Sequence, residues 1–364
     1  MTIPRAPLLL RTLLTPASAL SLRPQDWDLL LRQARRAVLL ARLAVALQPW
    51  LDQVPPGPRH HLHAALMTAR RQAKLTHWEV SRILAALEPL GVKPILLKGT
   101  AYLMAGLPAS HGRVFGDVDI LVPKSRIADI EAALFGHGWR FQDDLEAYDD
   151  RYYREWMHEI PPLTHEQRGS SLDVHHTILP PTARIQVNTA ALFEDARDLP
   201  GKPGVQVLAP VTMVLHSAAH LFHEGELEKG LRDLFDLDAL LRDFGRDLAF
   251  WAALVPRART LGLSRPLFLA LHYGNRLLGT PVPADTLRDA AADAPAWPRL
   301  MDACYDRALM PDHASCDDAL TGSARLALYV RAHWLRMPAS LLARHLARKA
   351  WLRLQPATEA PAEA

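Results

Sequence analysis

Apolar positions recur with two different periods along the chain and divide it into three stretches. From about Asp26, the residues Trp27, Leu30, Leu31, Ala34, Val38 and Val45 return at three- and four-residue steps, while Arg32, Arg35, Arg36 and Arg42 fall largely elsewhere. That spacing predicts amphipathic helix, ended by the rigid run Pro55-Pro56-Gly57-Pro58. A second helical run covers about 60–90 and breaks at Gly91. The arginines read as a solvated helix face rather than a nucleic-acid surface, because no aromatic residues are interleaved with them.

Between Gly91 and about Thr177 the pattern changes to an alternation of strand and helix. We read strands at 94–97 and 114–122, helices at about 100–106 and 125–136, and a short strand at 139–141. Two further strands are expected near 157–164 and 171–178, joined by the polar turn 165–169. From Ala190 on the chain reads as helical again, over 211–223, 231–244, 252–261, 266–278, 284–291 and 324–334. The fold class expected is α+β, a small mixed sheet flanked by helices. The expected units are an N-terminal helical segment (1–90), an α/β core (91–180), a larger C-terminal helical domain (181–354) and a disordered acidic tail (355–364).

A chain of 364 residues buries a substantial core, and 49% hydrophobic with 22% charged residues is ordinary for a globular protein. A net charge of +3 gives no strong nucleic-acid signal. Cys304 and Cys316 are too few for a disulfide framework or a cysteine-rich zinc site, so the expected setting is reducing and cytoplasmic. Arg11 interrupts the early Leu8-Leu9-Leu10 run, where a secretion signal needs about 7–15 apolar residues unbroken.

Chemistry concentrates between Lys98 and Pro123. The apolar strand of 114–122 carries Asp117 and Asp119, and residues two apart on a strand share a face. Two carboxylates so close are costly unless a cation lies between them. A hard divalent ion, Mg²⁺ or Mn²⁺, suits an all-oxygen pair. Asp173, in Ser-Leu-Asp-Val-His-His, is the natural third carboxylate and is expected to share a face with His175, with His176 opposite and structural.

These motifs resemble a known family. Leu-Leu-Lys-Gly-Thr at 96–100, then Arg113, then Gly-Asp-Val-Asp at 116–119, is similar to the polymerase-β-like nucleotidyltransferases, and in its fuller wording to a bacterial branch of uncharacterised nucleotidyltransferases. The likeness continues at Trp27, at 172–176 and at 231–241. It implies that Asp117, Asp119 and Asp173 are catalytic and bind metal, with Asp173 also helping to deprotonate the acceptor. It implies that Gly99 and Thr100 offer hydrogen bonds to a nucleoside triphosphate and that Lys98 and Arg113 pair with its oxygens. His175, by its place beside Asp173, fits a phosphate contact, a residue orienting Asp173 or a satisfied core histidine, and a supporting role at the nucleotide site is favoured. The activity expected is transfer of a nucleoside monophosphate to an unidentified acceptor, a small molecule or protein being favoured over RNA. The alternative is a non-catalytic nucleotide-binding scaffold that retains the fold.

Three other features were weighed. His216, His220 and His223 share one helix face beside Glu224, which fits either a zinc site or a helix laid over the active site; the second is favoured, since Ser217 stands where a zinc protease carries its glutamate. Arg232, Asp233 and Asp236 are expected to lock their helix to its neighbours or touch the nucleotide. The run 331–353 carries basic residues and no acid, which suits a closing helix of the domain or a weak peripheral membrane contact.

Overall fold

The structure, a computed structural model, describes residues 6–141, 150–223, 225 and 227–338. The N-terminal helices are α1 (Leu8–Leu14), α2 (Pro24–Arg36), α3 (Leu40–Ala46) and α4 (Pro56–Leu87). Helix α2 starts where Pro24 needs no hydrogen-bonded N–H and the Asp26 carboxylate accepts from the Arg23 N–H. Its face of Trp27, Leu30, Leu31 and Ala34 is buried as the periodicity requires. The period does not run on as expected: Val38 has φ 56°, which breaks the helix and resets the phase. Val45 therefore ends 37% exposed, while Arg42, expected at the surface, is turned inward. Helix α4 is ended through Gly91, whose φ of 63° suits a residue without a Cβ.

The α+β expectation holds. Among the described residues the sheet has seven strands in the order β3-β4-β5-β2-β1-β7-β6. They are β1 (Ile95–Leu96), β2 (Asp117–Leu121), β3 (Trp139–Phe141), β4 (Leu163–His165), β5 (Ser171–His175), β6 (Ala196–Asp198) and β7 (Gln206–Leu208), with helices α5 (Lys98–Met104), α6 (Ile127–Gly136) and α7 (Thr189–Glu194) between them. Strands β2 and β5 run parallel at the centre, and β1 pairs antiparallel with β2 and parallel with β7. Ile120, Leu121, Leu172 and Val174 are completely buried and Val118 nearly so, so apolar packing fixes the strands on both sides of Asp119 and Asp173.

Two strand expectations are corrected. The segment 157–164 is strand only from Leu163; before it, a helical turn at Tyr152–Trp156 leads to the isolated bridge between Glu159 and His175. The chain beyond Ala190 is not all helical, because β6 and β7 extend the sheet alongside β1. After them come α8 (Pro210–His223), α9 (Gly230–Phe244), α10 (Leu248–Thr260), α11 (Ser264–Tyr273), α12 (Ala284–Ala291), α13 (Pro298–Ala308) and α14 (Thr321–Arg336). Helix α13 was not read from the sequence. Of the basic run 331–353, residues to 338 are described; the remainder, like the tail 355–364 and Glu224, lies outside the described residues. Among the described residues no helix is long and apolar enough to cross a membrane.

Candidate active site

The site is built on the parallel pair β2 and β5. Their register sets Asp119 directly beside Asp173, and Asp117 lies two residues back on the same face. The three carboxylates converge, with one oxygen from each within 4.8 Å of the others. Two unit charges at that separation repel by about 3.5 kcal/mol at an effective dielectric of ~20. Full ionisation of all three therefore calls for a cation. Burial, followed by the charges of Asp119, Glu159 and Asp117, pushes the Asp173 carboxyl up to about 7. Three convergent oxygens, one of them holding its proton to neutrality, are a donor set that fits a hard divalent ion.

Asp119 already has cationic company. Lys98 adopts φ 46° at the start of α5 and aims its Nζ back at Asp119 Oδ1, 2.7 Å away. Burial alone would lower the Lys98 ammonium, but the charge and hydrogen bond of Asp119, with the charges of Glu159 and Asp117, together outweigh it and the pKa rises. Burial likewise works to raise Asp119, and Lys98 and then His175 hold it well below the usual carboxylate range. His175 places Nε2 3.1 Å from the same Oδ1. It shares its face with Asp173, as expected, yet its contact is with Asp119.

The glycine-threonine turn does something different from presenting groups to solvent. The Thr100 hydroxyl is buried and points to the main-chain oxygen of Asp117 at 3.5 Å. A Cβ on Gly99 would lie 1.8 Å from a guanidinium nitrogen of Arg113, so Gly99 makes the space in which that guanidinium rests. Arg113 Nε donates to Asp236 Oδ2 at 2.8 Å, and Arg42 Nη2 donates to Asp236 Oδ1 at 2.5 Å. Burial would lower Arg113, and the Asp236 carboxylate more than offsets it.

A cavity of about 420 Å³ opens over the carboxylates, lined by Asp117, Asp119, Lys98 and Arg113 together with Lys229 and Arg232 of the α9 region. Helix α8 closes one side, with His220 on the wall and the Ser217 hydroxyl bonded to the Tyr102 hydroxyl. His216 is buried and held neutral, well below the usual imidazole value, by burial and then by Lys98. Among the described residues His216, His220 and His223 form no convergent metal-ligand group, whereas the aspartates do. Asp236 locks α9 to its neighbours, one of the two roles expected of it. The sequence reading missed Lys229, and it missed Glu159, whose only signal was an acid in the otherwise apolar approach to Pro161-Pro162.

The model of a family of uncharacterised nucleotidyltransferases matches residues 23–279. The chain belongs to this family. Neither a curated protein nor a solved structure matches it. This nucleotidyltransferase is accordingly a transferase of phosphorus-containing groups. The matched span runs from the start of α2 to just past α11, and so takes in Arg42, the three aspartates and Asp236.

Proposed function

We propose that this nucleotidyltransferase moves a nucleoside monophosphate from a nucleoside triphosphate to a hydroxyl or phosphate oxygen of its acceptor, using Mg²⁺ or Mn²⁺ held by Asp117, Asp119 and Asp173. The acceptor oxygen forms a bond to the α-phosphorus. The bond from that phosphorus to the oxygen bridging to the β-phosphate breaks, and pyrophosphate leaves. The observation that carries the reading is the convergence of three carboxylates within 4.8 Å of one another, two of which, Asp117 and Asp119, line a cavity that Lys98, Arg113, Lys229 and Arg232 also line. Carboxylates for a metal and cations for phosphate oxygens, on the wall of one cavity, match a polyanion delivered with its metal.

When bound, the divalent ion would neutralise charge building on the α-phosphate and activate the attacking oxygen. Asp117, Asp119 and Asp173 would hold it. Asp173 would also help to take up the proton that a hydroxyl acceptor loses. Lys98 and Arg113 would bind phosphate oxygens, Arg113 from a position fixed by Gly99 and Asp236. The modest net charge of +3 favours a small-molecule or protein acceptor over RNA.

A titration of ATP, GTP, CTP and UTP in the presence of Mg²⁺ tests this, on wild type and on Asp117→Asn/Asp119→Asn. Wild type should bind at least one nucleotide in a metal-dependent way, and the double variant should not. Equal binding by both proteins would move the nucleotide away from the carboxylates.

A further inference from the structure

Behind the aspartates lies a second group of ligand-type side chains, two of which, His158 and Glu159, have no part in the nucleotide transfer proposed above. His158, Glu159 and His175 each offer one atom, and these lie within 4.8 Å of one another. Their placement is a matter of backbone. Glu159 bridges antiparallel to His175, the Ile160 N–H donates to Val174 O at 3.0 Å, and the His176 N–H donates to His158 O at 2.9 Å. The segment 158–160 is thus stitched to β5, directly alongside His175.

His175 supplies the observation that points to a ligand. Its side chain is 1% exposed and its Nε2 lies 3.1 Å from Asp119 Oδ1. An ionised carboxylate accepts hydrogen bonds and donates none, so Nε2 must carry the proton. In the neutral imidazole that leaves Nδ1 as a bare lone pair. Nδ1 is buried and, among the described residues, has no hydrogen-bond partner. What it faces is the Glu159 carboxylate, with Oε2 at 3.3 Å. A lone pair set against a carboxylate oxygen inside the protein is repulsive, and a metal ion held by both atoms removes that repulsion.

We propose that His158, Glu159 and His175 form a second metal site, selective for a borderline transition ion such as Zn²⁺ or Co²⁺ over Mg²⁺. The spacing agrees: with bonds of about 2.0–2.1 Å at the tetrahedral angle, neighbouring ligand atoms sit about 3.3–3.4 Å apart, against 3.3 Å for Glu159 Oε2 to His175 Nδ1. His158 Nε2 is 3.8 Å from the same Oε2 and needs only a small side-chain adjustment to close the set. Two imidazoles and one carboxylate are the ligands of transition ions, whereas the three aspartates suit a hard ion. A cavity of about 20 Å³, lined by His158, His175, His216 and His220, adjoins the group and has room for a water. In this arrangement His175 binds the ion through Nδ1 and donates Nε2–H to Asp119, so that the ion fixes the tautomer and orients a carboxylate of the first site.

The test is Co²⁺ titration of the full chain, stripped with chelator, with Mg²⁺ in excess to compete for the aspartate oxygens. Visible ligand-field absorption is the readout, which is independent of nucleotidyl transfer. Wild type and Asp117→Asn/Asp173→Asn should both develop the bands at one equivalent. His158→Ala and the near-isosteric Glu159→Gln should each weaken Co²⁺ binding by about tenfold or more, with circular dichroism confirming the fold. Bands that survive both substitutions, or bands lost only with the aspartates, would overturn the proposal. So would a wild type with no bands at all. Failure here leaves the nucleotide reading intact, since that rests on the aspartates and is read by nucleotide binding.

Discussion

At the scale of single residues, Lys98 and Asp173 show how the carboxylates coexist without an added ion: one supplies a cation and the other keeps a proton. Removing the first should be costly. Lys98→Met leaves Asp119, 2% exposed, without its ammonium, and breaking such a buried pair costs about 3–5 kcal/mol. Urea unfolding in EDTA should show a loss of that order, shrinking when Mg²⁺ is added; an equal loss with and without Mg²⁺ would mean the ion does not take over the role of Lys98. Asp173 sets a pH dependence of opposite character. Its folded pKa, about 7, lies above the ordinary carboxylate value, so between about pH 4 and 7 the folded state binds the extra proton. The ion-free protein should lose stability as pH rises through that window. Metal uptake must release the proton, so Mg²⁺ affinity should climb by about tenfold between pH 6 and 8 and then level off. Thermal melts with and without Mg²⁺ at the two values check this, and Asp173→Asn should flatten the difference. Of these residues the aspartates were legible in the sequence, since a charge inside an apolar strand announces itself by cost. The pairing of Lys98 with Asp119 was not, because it depends on a φ of 46° that a lysine rarely adopts.

At the scale of elements, most of the longer pieces could be read, α13 excepted, and the two short strands after Ala190 could not. Helices of ten or more residues repeat their apolar face several times, and β2 and β5 stand out through continuous apolar neighbours. Strands β6 and β7 have three residues each, too few to display a period of two, and they belong to the sheet only because β1 is there to pair with β7. The β1–α5 turn shows a related limit. Its glycine reads naturally as a phosphate-cradling residue, yet in the structure its missing side chain is what admits Arg113. Gly99→Ala should accordingly leave the strands in place and push the guanidinium aside. We expect a stability loss of about 1–3 kcal/mol, as for overpacking elsewhere, and a nucleotide affinity lowered with it. Isothermal titration on the folded variant is the check, and unchanged affinity would remove Arg113 from the nucleotide site.

At the scale of the whole molecule, the cavity exists because three distant parts of the chain meet at one carboxylate. Asp236 of α9 accepts from Arg42 of α3 and from Arg113 just before β2, across 194 and 123 positions of sequence. Arg42 also donates to the main-chain oxygens of Ala109 and Phe235. No local pattern encodes such a junction, which is why Arg42 looked like one more surface arginine among Arg32, Arg35 and Arg36. The side chains of Arg42, Arg113 and Asp236 are 12%, 10% and 4% exposed, so both arginines depend on one buried acid. Asp236→Asn should strand two guanidinium groups and cost about 3–5 kcal/mol. Adding Arg42→Met removes one stranded charge, so the double variant should be more stable than the sum of the single effects predicts, a coupling that a double-mutant cycle in urea resolves. Nucleotide binding then separates two roles for the junction. If Asp236 also holds Arg113 in place for phosphate, the double variant regains stability without regaining affinity, because Arg113 still lacks its partner. If affinity returns along with stability, the junction serves the fold alone.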